Sequence, residues 1–280
     1  MNLSMNARAW IVSVVIFAVF LAIWVGGTMQ TGPATQYADP EYAALMGGAD
    51  NDSGGLPTPA AVWSTALDNL SEPFYDNGPN DKGVGVQLAY SLGRVTAGFA
   101  LAVLVGVPLG FVIGMSPMMY KALNPFIQIL KPVSPLAWMP LALYTIKDAS
   151  ASAIFVIFIC SIWPILVNTA HGVMSVRKDW LAVAQTLEIG SLRTAALVIL
   201  PAAAPTILTG MRISMSIAWL VIVAAEMLVG GTGIGYYIWN EWNNLDLSNV
   251  IFSILLIGVV GMALDLLFGL LGRAVSYQEV

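Results

Sequence analysis

Five charged residues lie inside long apolar stretches of this chain: Arg94, Lys131, Arg212, Glu226 and Asp265. An ionisable side chain in such a setting is costly and marks an ion path, a relay or a pair. Were the cargo a small anion, its path would need hydrogen-bond donors and positive potential, without a well deep enough to hold it. Lys131 stands beside Pro132 in KPVSPLAWMP, with Ser134 and Trp138 just after it. These three, with Arg94 and with Asn168 of SIWPILVNTA, are the candidates to line a path. Arg212 and Asp265 carry opposite charges toward the inner ends of their stretches, which predicts a structural ion pair. Glu226 would repel an anion, so packing or gating is its expected role.

Other chemistries lack their residues. His171 is the one histidine and Cys160 the one cysteine, so neither a metal site nor a disulfide is expected. Cys160 reads as a small buried hydrophobe. Met115, Met118, Met119 and Met139 read as gap-filling packing. No clustered His, Cys or paired carboxylates supply a catalytic site, so no enzyme is expected. No GxxxxGK[ST] loop is present, and GGTGIG has no preceding strand, so this chain is expected to bind neither ATP nor another cofactor.

The elements that must position these residues are membrane spans. The chain has 280 residues, 58% hydrophobic and 10% charged, against about 25% charged in an ordinary soluble domain. Apolar runs predict six spans: Trp10–Gly27, Leu88–Met115, Ala122–Ile146, Ala151–Thr169, Pro205–Val229 and Val250–Gly272. The first reads as a retained anchor (1–27). Residues 28–87 form a polar segment, with one short amphipathic helix over Pro57–Leu70 capped by Thr58 and striped by Ala61, Val62, Ala66 and Leu70. Residues 88–280 form a five-helix core. In the second span Gly98, Ala102, Gly106, Gly110 and Gly114 recur every four residues, which lets another helix approach closely. Pro125, Pro132, Pro135 and Pro140 break the third span. Broken backbone at membrane depth must be buried in protein or line a wet cavity. Gly230–Asn249 reads as a loop.

Six spans place both termini on one side, together with Arg8, Lys121, Arg177, Lys178, Arg193 and Arg273. The positive-inside rule makes that side the cytoplasm of an inner membrane. The polar segment then lies outside, with Asp39, Glu41, Asp50, Asp52, Asp68, Glu72, Asp76 and Asp81 against Lys82 alone. The net charge of −5 disfavours nucleic acid as a partner. Inside, DWLAVAQTLEIGS predicts a short amphipathic helix over about 179–190, capped by Asp179, and such a helix can dock into a groove on a partner.

At this helix the chain resembles the permeases of type I ABC importers. Their signature runs Glu-Ala-Ala, three residues, Gly, nine residues, Ile, one residue, Leu-Pro. Aligned on Leu200-Pro201, this chain has Ala182, Val183 and Ala184 first, Glu188 in place of the glycine and Val198 in place of the isoleucine. SLGRVTAGFALAVLVGVPLGFVIG, KPVSPLAWMPLALYTI, SIWPILVNTAHGV and GGTGIGYYIWNEWNN look like the nitrate, cyanate, bicarbonate and sulfonate branch. PFYDNGPNDKGVG is similar to the nitrate/nitrite subgroup. The likeness covers about residues 57–275.

The resemblance implies an all-α integral membrane protein with the six-helix permease fold, importing a small anion by alternating access. It implies two cytoplasmic ATPase subunits that carry ATP and Mg, a periplasmic or lipid-anchored solute-binding protein, and a second permease copy. Coupling to the ATPases would fall on Asp179, Leu181, Ala184, Gln185, Leu187, Glu188 and Gly190. Nitrate or nitrite is the expected cargo, as part of nitrate assimilation, with bicarbonate, cyanate or an aliphatic sulfonate as alternatives. A secondary anion transporter or channel is the competing class. Inverted repeats would support it, and the sequence displays none.

Overall fold

A computed structural model describes residues 4–29, 56–78 and 81–275. The acidic stretch containing Asp39, Glu41, Asp50 and Asp52 lies outside the described residues. The rest is helical: α1 Met5–Met29, α2 Pro59–Ser71, α3 Val84–Met115, α4 Pro117–Leu130, α5 Pro135–Ile146 and α6 Ala149–Met174. Then follow α7 Lys178–Thr186, α8 Ser191–Thr194, a π-helical turn Ala195–Ile199, α9 Leu200–Val229, α10 Ile234–Asn243 and α11 Leu247–Val275.

Five stretches are long and apolar enough to cross a membrane: Ala7–Thr28, Val84–Met115, Ala149–Met174, Ser191–Val229 and Leu247–Val275. The pair α4 and α5 makes a sixth if counted together, bent by 91°. The predicted third span is therefore two helices. Pro135 holds Ser134 extended (φ −61°, ψ 137°), which ends helical geometry between them. Ser116 caps α4, accepting from Met119 N at 3.3 Å, and Asp148 Oδ1 caps α6, accepting from Ala151 N at 2.7 Å.

The chain divides into two compact units: Met1–Glu72 with Glu241–Ile254, and Pro73–Asn240 with Leu255–Val280. In the first, α1 turns Trp10, Phe17, Phe20 and Ile23 outward, as a lipid-facing helix does. Its Trp24 indole donates to Pro57 O at 3.0 Å. Thr58 caps α2 and Pro59 opens it. Leu70, expected on the apolar stripe, is exposed; Asn69 faces inward instead and donates to Asn249 Oδ1 at 2.8 Å.

In the second unit, α6 is the central helix, packed on α3 and on α9. The small-residue stripe of α3 is the reason. A Cβ on Gly110 would sit 2.6 Å from Leu166 O, and one on Gly114 2.7 Å from Ala170 O. Gly210 of α9 meets Asn168 and Pro164 in the same way. Backbones at this distance exclude lipid and gain dispersion contacts along the whole seam. The fifth span begins earlier than Pro205: Pro201 sits in the first turn of α9 and Pro205 lies inside it. The expected loop Gly230–Asn249 contains α10, because Tyr237 and Ile238 bury an apolar face.

Candidate functional site

Three places bear chemistry. The first is the break between α4 and α5. A cavity of about 150 Å³ is lined there by Lys131, Val133, Pro135, Trp138, Cys160, Trp163, Pro164 and Ile217. The proline-flanked break between α4 and α5 and the α6 residues Cys160, Trp163 and Pro164 border this gap. Lys131 has no carboxylate within 4.0 Å among the described residues. The lining side chains that can donate strongly are one ammonium and two indole N–H groups, and no carboxylate, hydroxyl or amide joins them. Ser134 is exposed, sits at the N-cap of α5 and does not line the cavity. Cys160, expected to be buried, lines it.

Two other expected path residues are engaged elsewhere. Asn168 Nδ2 donates to Pro164 O of its own helix at 2.8 Å, and its Cβ packs on Gly210. Arg94 is tied into a buried cluster, which is the second place. Its Nη1 donates to Glu226 Oε1 at 2.7 Å and to Thr232 O at 2.6 Å; its Nε and Nη2 donate to Ser150 Oγ at 3.3 and 3.1 Å. The guanidinium edges a shallow groove over Tyr90, Gly93 and Ile154, but every nitrogen is already used.

Glu226 is 2% exposed. Its carboxylate accepts from Arg94, from Ser91 Oγ at 2.8 Å and from Gly235 N at 3.1 Å. Gly233 N donates to Gln87 Oε1 at 2.6 Å, and Ile234 N to Ser91 Oγ at 2.9 Å. A buried carboxylate is tolerable only with its lone pairs filled in this way. The glycines of GGTGIG follow from the same packing. A Cβ on Gly233 would overlap the Glu226 carboxylate, and one on Gly235 would overlap Val223 O. Sequence reasoning missed the Arg94–Glu226 pair. The available signal was two opposite charges near the ends of their spans, with a glycine-rich loop directly after one of them.

The third place is the segment after α6. The cap of α7 is Arg177, and Asp179 lies in its first turn, 3.3 Å from Arg177 Nη2. The helix ends at Thr186, short of the expected 190. Leu181 and Ala184 turn inward, Leu181 packing beside Val173, Ile199, Ala203 and Ile207. Asp179, Gln185, Leu187 and Glu188 are exposed, and so are Trp180 and Val183.

A Schellman ending closes α7: Ile189 N donates to Ala184 O at 3.1 Å and Glu188 N to Gln185 O at 3.0 Å. That ending needs a left-handed residue, and Glu188 occupies it with φ +52°. Gly190, at φ −60° with open space around it, carries no such requirement. The expected pair is also formed. Arg212 Nε and Nη2 donate to Asp265 Oδ1 and Oδ2 at 2.6 and 2.5 Å.

Comparison with known proteins agrees with this architecture. The profile of the binding-protein-dependent transport system inner membrane component family matches residues 106–277. The nitrate import permease protein NrtB of Synechocystis sp. is 44% identical over 214 residues, 76% of this chain and 78% of that protein. The bicarbonate transport system permease protein CmpB of Synechocystis sp. is 42% identical over 227 residues, 80% of this chain and 79% of that protein. Among solved structures, an inward-facing MetNI methionine ABC transporter chain aligns with TM-score 0.60 at 13% identity, over 67% of this chain and 94% of that one. That last likeness concerns the fold alone.

Proposed function

We propose, from the premise that the chain belongs to the family of binding-protein-dependent transport system inner membrane components, that this ABC importer permease carries nitrate or nitrite inward. The cavity at the α4–α5 break supports the choice of cargo. Nitrate only accepts hydrogen bonds, and the lining side chains offer an ammonium and two indole donors with no carboxylate to repel it. Bicarbonate is the second reading, favoured by the likeness to CmpB. Its hydroxyl must donate, and the cavity side chains present no strong acceptor for it.

The remaining machinery is inferred from the same family. ATP and Mg belong to two cytoplasmic ATPase subunits. Their grooves would receive the outward residues of α7 and of the turn that ends it, with Trp180, Val183 and Leu187 as apolar anchors and Asp179, Gln185 and Glu188 around them. Leu181 and Ala184 would pass the displacement into the bundle, since they touch it. A solute-binding protein delivers the anion outside, and a second copy of this chain completes the path as a homodimer. Both termini are cytoplasmic in this reading.

The test is uptake of labelled nitrate and labelled bicarbonate by a strain lacking this chain. Loss of high-affinity nitrate uptake with normal bicarbonate uptake is expected. The opposite pattern would replace nitrate by bicarbonate.

A further inference from the structure

The Arg212–Asp265 pair differs from an ordinary buried bridge in three respects. It is half-exposed, at 46% and 40% of the side chains. Asp265 occupies only Nε and Nη2 of a guanidinium that has five N–H donors, and Nη1 has no acceptor among the described residues. The guanidinium also lines a cavity of about 350 Å³, together with Arg273, Leu208, Leu266, Phe268 and Gly269. No carboxylate lines that cavity. The Thr209 hydroxyl beside it donates to Pro205 O at 3.0 Å, so the cationic side chains are its principal donors.

Depth says what could enter. The helical stretch Ser191–Val229 has 39 residues, about 58 Å of rise against a hydrocarbon core of about 30 Å. About 20 residues suffice to cross, and counting back from Val229 brings the inner boundary to the level of Thr209–Arg212. The same count from Leu247 along α11 arrives at Asp265. Both members of the pair therefore stand at the inner headgroup level, with Arg273 beyond them. The cavity is not a continuation of the one at Lys131. Ile217 and Arg212 are five residues apart on α9, which turns them about 140° from each other.

We propose that this cavity is a binding site for the phosphate of an anionic phospholipid of the inner leaflet. Arg212 presents its free edge, Arg273 adds charge, and Asp265 fixes the guanidinium plane. Leu208, Leu266, Phe268 and Leu270 give the glycerol and upper acyl carbons an apolar wall. Basic pockets between spans on the cytoplasmic side recognise headgroups by this chemistry. A free oxyanion, including the transported one, shares that chemistry, so the experiment must separate the two.

The complete importer is purified with its partners from membranes of mixed phosphatidylglycerol and phosphatidylcholine, and retained lipid is counted by native mass spectrometry. Wild type should retain phosphatidylglycerol over phosphatidylcholine by about fivefold or more, the expectation for one basic residue near the surface. The paired variant Arg212→Gln with Asp265→Asn leaves no orphan charge and should lose that preference at an unchanged thermal midpoint. Asp265→Asn alone should keep it. Millimolar nitrate should not displace the lipid. Equal retention of both lipids by wild type would overturn the proposal, as would a preference that survives in the paired variant. Displacement by nitrate would also overturn it, reassigning the cavity to a free anion. None of these readouts depends on which anion is imported, so the cargo assignment can fail separately.

Discussion

Among the described residues, two arginine–carboxylate pairs join different long helices, and they do opposite things with the same chemistry. Arg94 and Glu226 are 14% and 2% exposed, and every guanidinium nitrogen has a protein acceptor. Arg212 and Asp265 are 46% and 40% exposed, and one edge of the guanidinium is unclaimed. The first pair is a clamp: it holds the GGTGIG turn against α3 and closes that end of the helices. The second stays available to a ligand. Which of the two is structural cannot be told from residue type. It follows from what fills the remaining donors.

The contrast is broken most strongly at Glu226. Glu226→Ala leaves Arg94, the Ser91 hydroxyl and the Gly235 N–H facing an empty site, and loss of one partner of a buried pair costs about 3–5 kcal/mol. Little folded protein should accumulate, read as membrane-inserted chain per cell, whereas Asp265→Asn should accumulate normally. Gly233→Ala tests the same clamp from the loop side. Its Cβ would overlap the Glu226 carboxylate, and overpacking of this kind costs about 1–3 kcal/mol, read as a lower thermal midpoint in detergent.

A smaller effect is expected at α7, outside both clusters. Glu188→Gly relieves a left-handed non-glycine residue, worth about 1 kcal/mol. The local amides Leu187 and Ile189 should exchange more slowly with solvent as a result. A drop in their protection would show that the Glu188 side chain, not the backbone turn, holds the Schellman ending.

The smallest effect belongs to a surface pair, Asp76 with Lys82, at 2.5 Å before α3. The Lys82 ammonium, hydrogen-bonded to Asp76, holds that carboxyl below the ordinary carboxylate range. A lowered carboxyl pKa contributes stability that is present above the unfolded value and lost as pH falls through the folded one. Exchange at Asn77 and Gly83, whose amides donate to Asp81 O and Tyr75 O, should therefore rise only below the ordinary carboxylate pKa. Asp76→Asn should abolish that dependence.

Much of the frame was legible from residue types. Gly98 through Gly114 announced a close helix seam because only missing side chains permit it, and the prolines around Lys131 announced a broken span because they remove helix hydrogen bonds. The cap at Thr58–Pro59 was equally plain. What stayed hidden depends on side chains meeting across sequence distance. Arg94 and Glu226 are separated by 132 positions, and either could pair, snorkel or face a path until their neighbours are known. GGTGIG could be dismissed as a nucleotide loop, but its packing role needed Glu226 beneath it. Glu188 stands where the family signature has glycine, and the left-handed turn explains that glycine only once the backbone is seen.

In the proposed transport the chain moves a small anion past the ammonium at the α4–α5 break. This is measured by the initial rate of labelled nitrate uptake by cells whose only copy carries Lys131→Ala, beside Lys131→Arg, at matched levels of inserted chain. A fall of about tenfold or more in Lys131→Ala, with most of the rate kept by Lys131→Arg, is the expected result for a charge that acts in the path. Wild-type uptake in Lys131→Ala would contradict the claim and move the path away from this cavity.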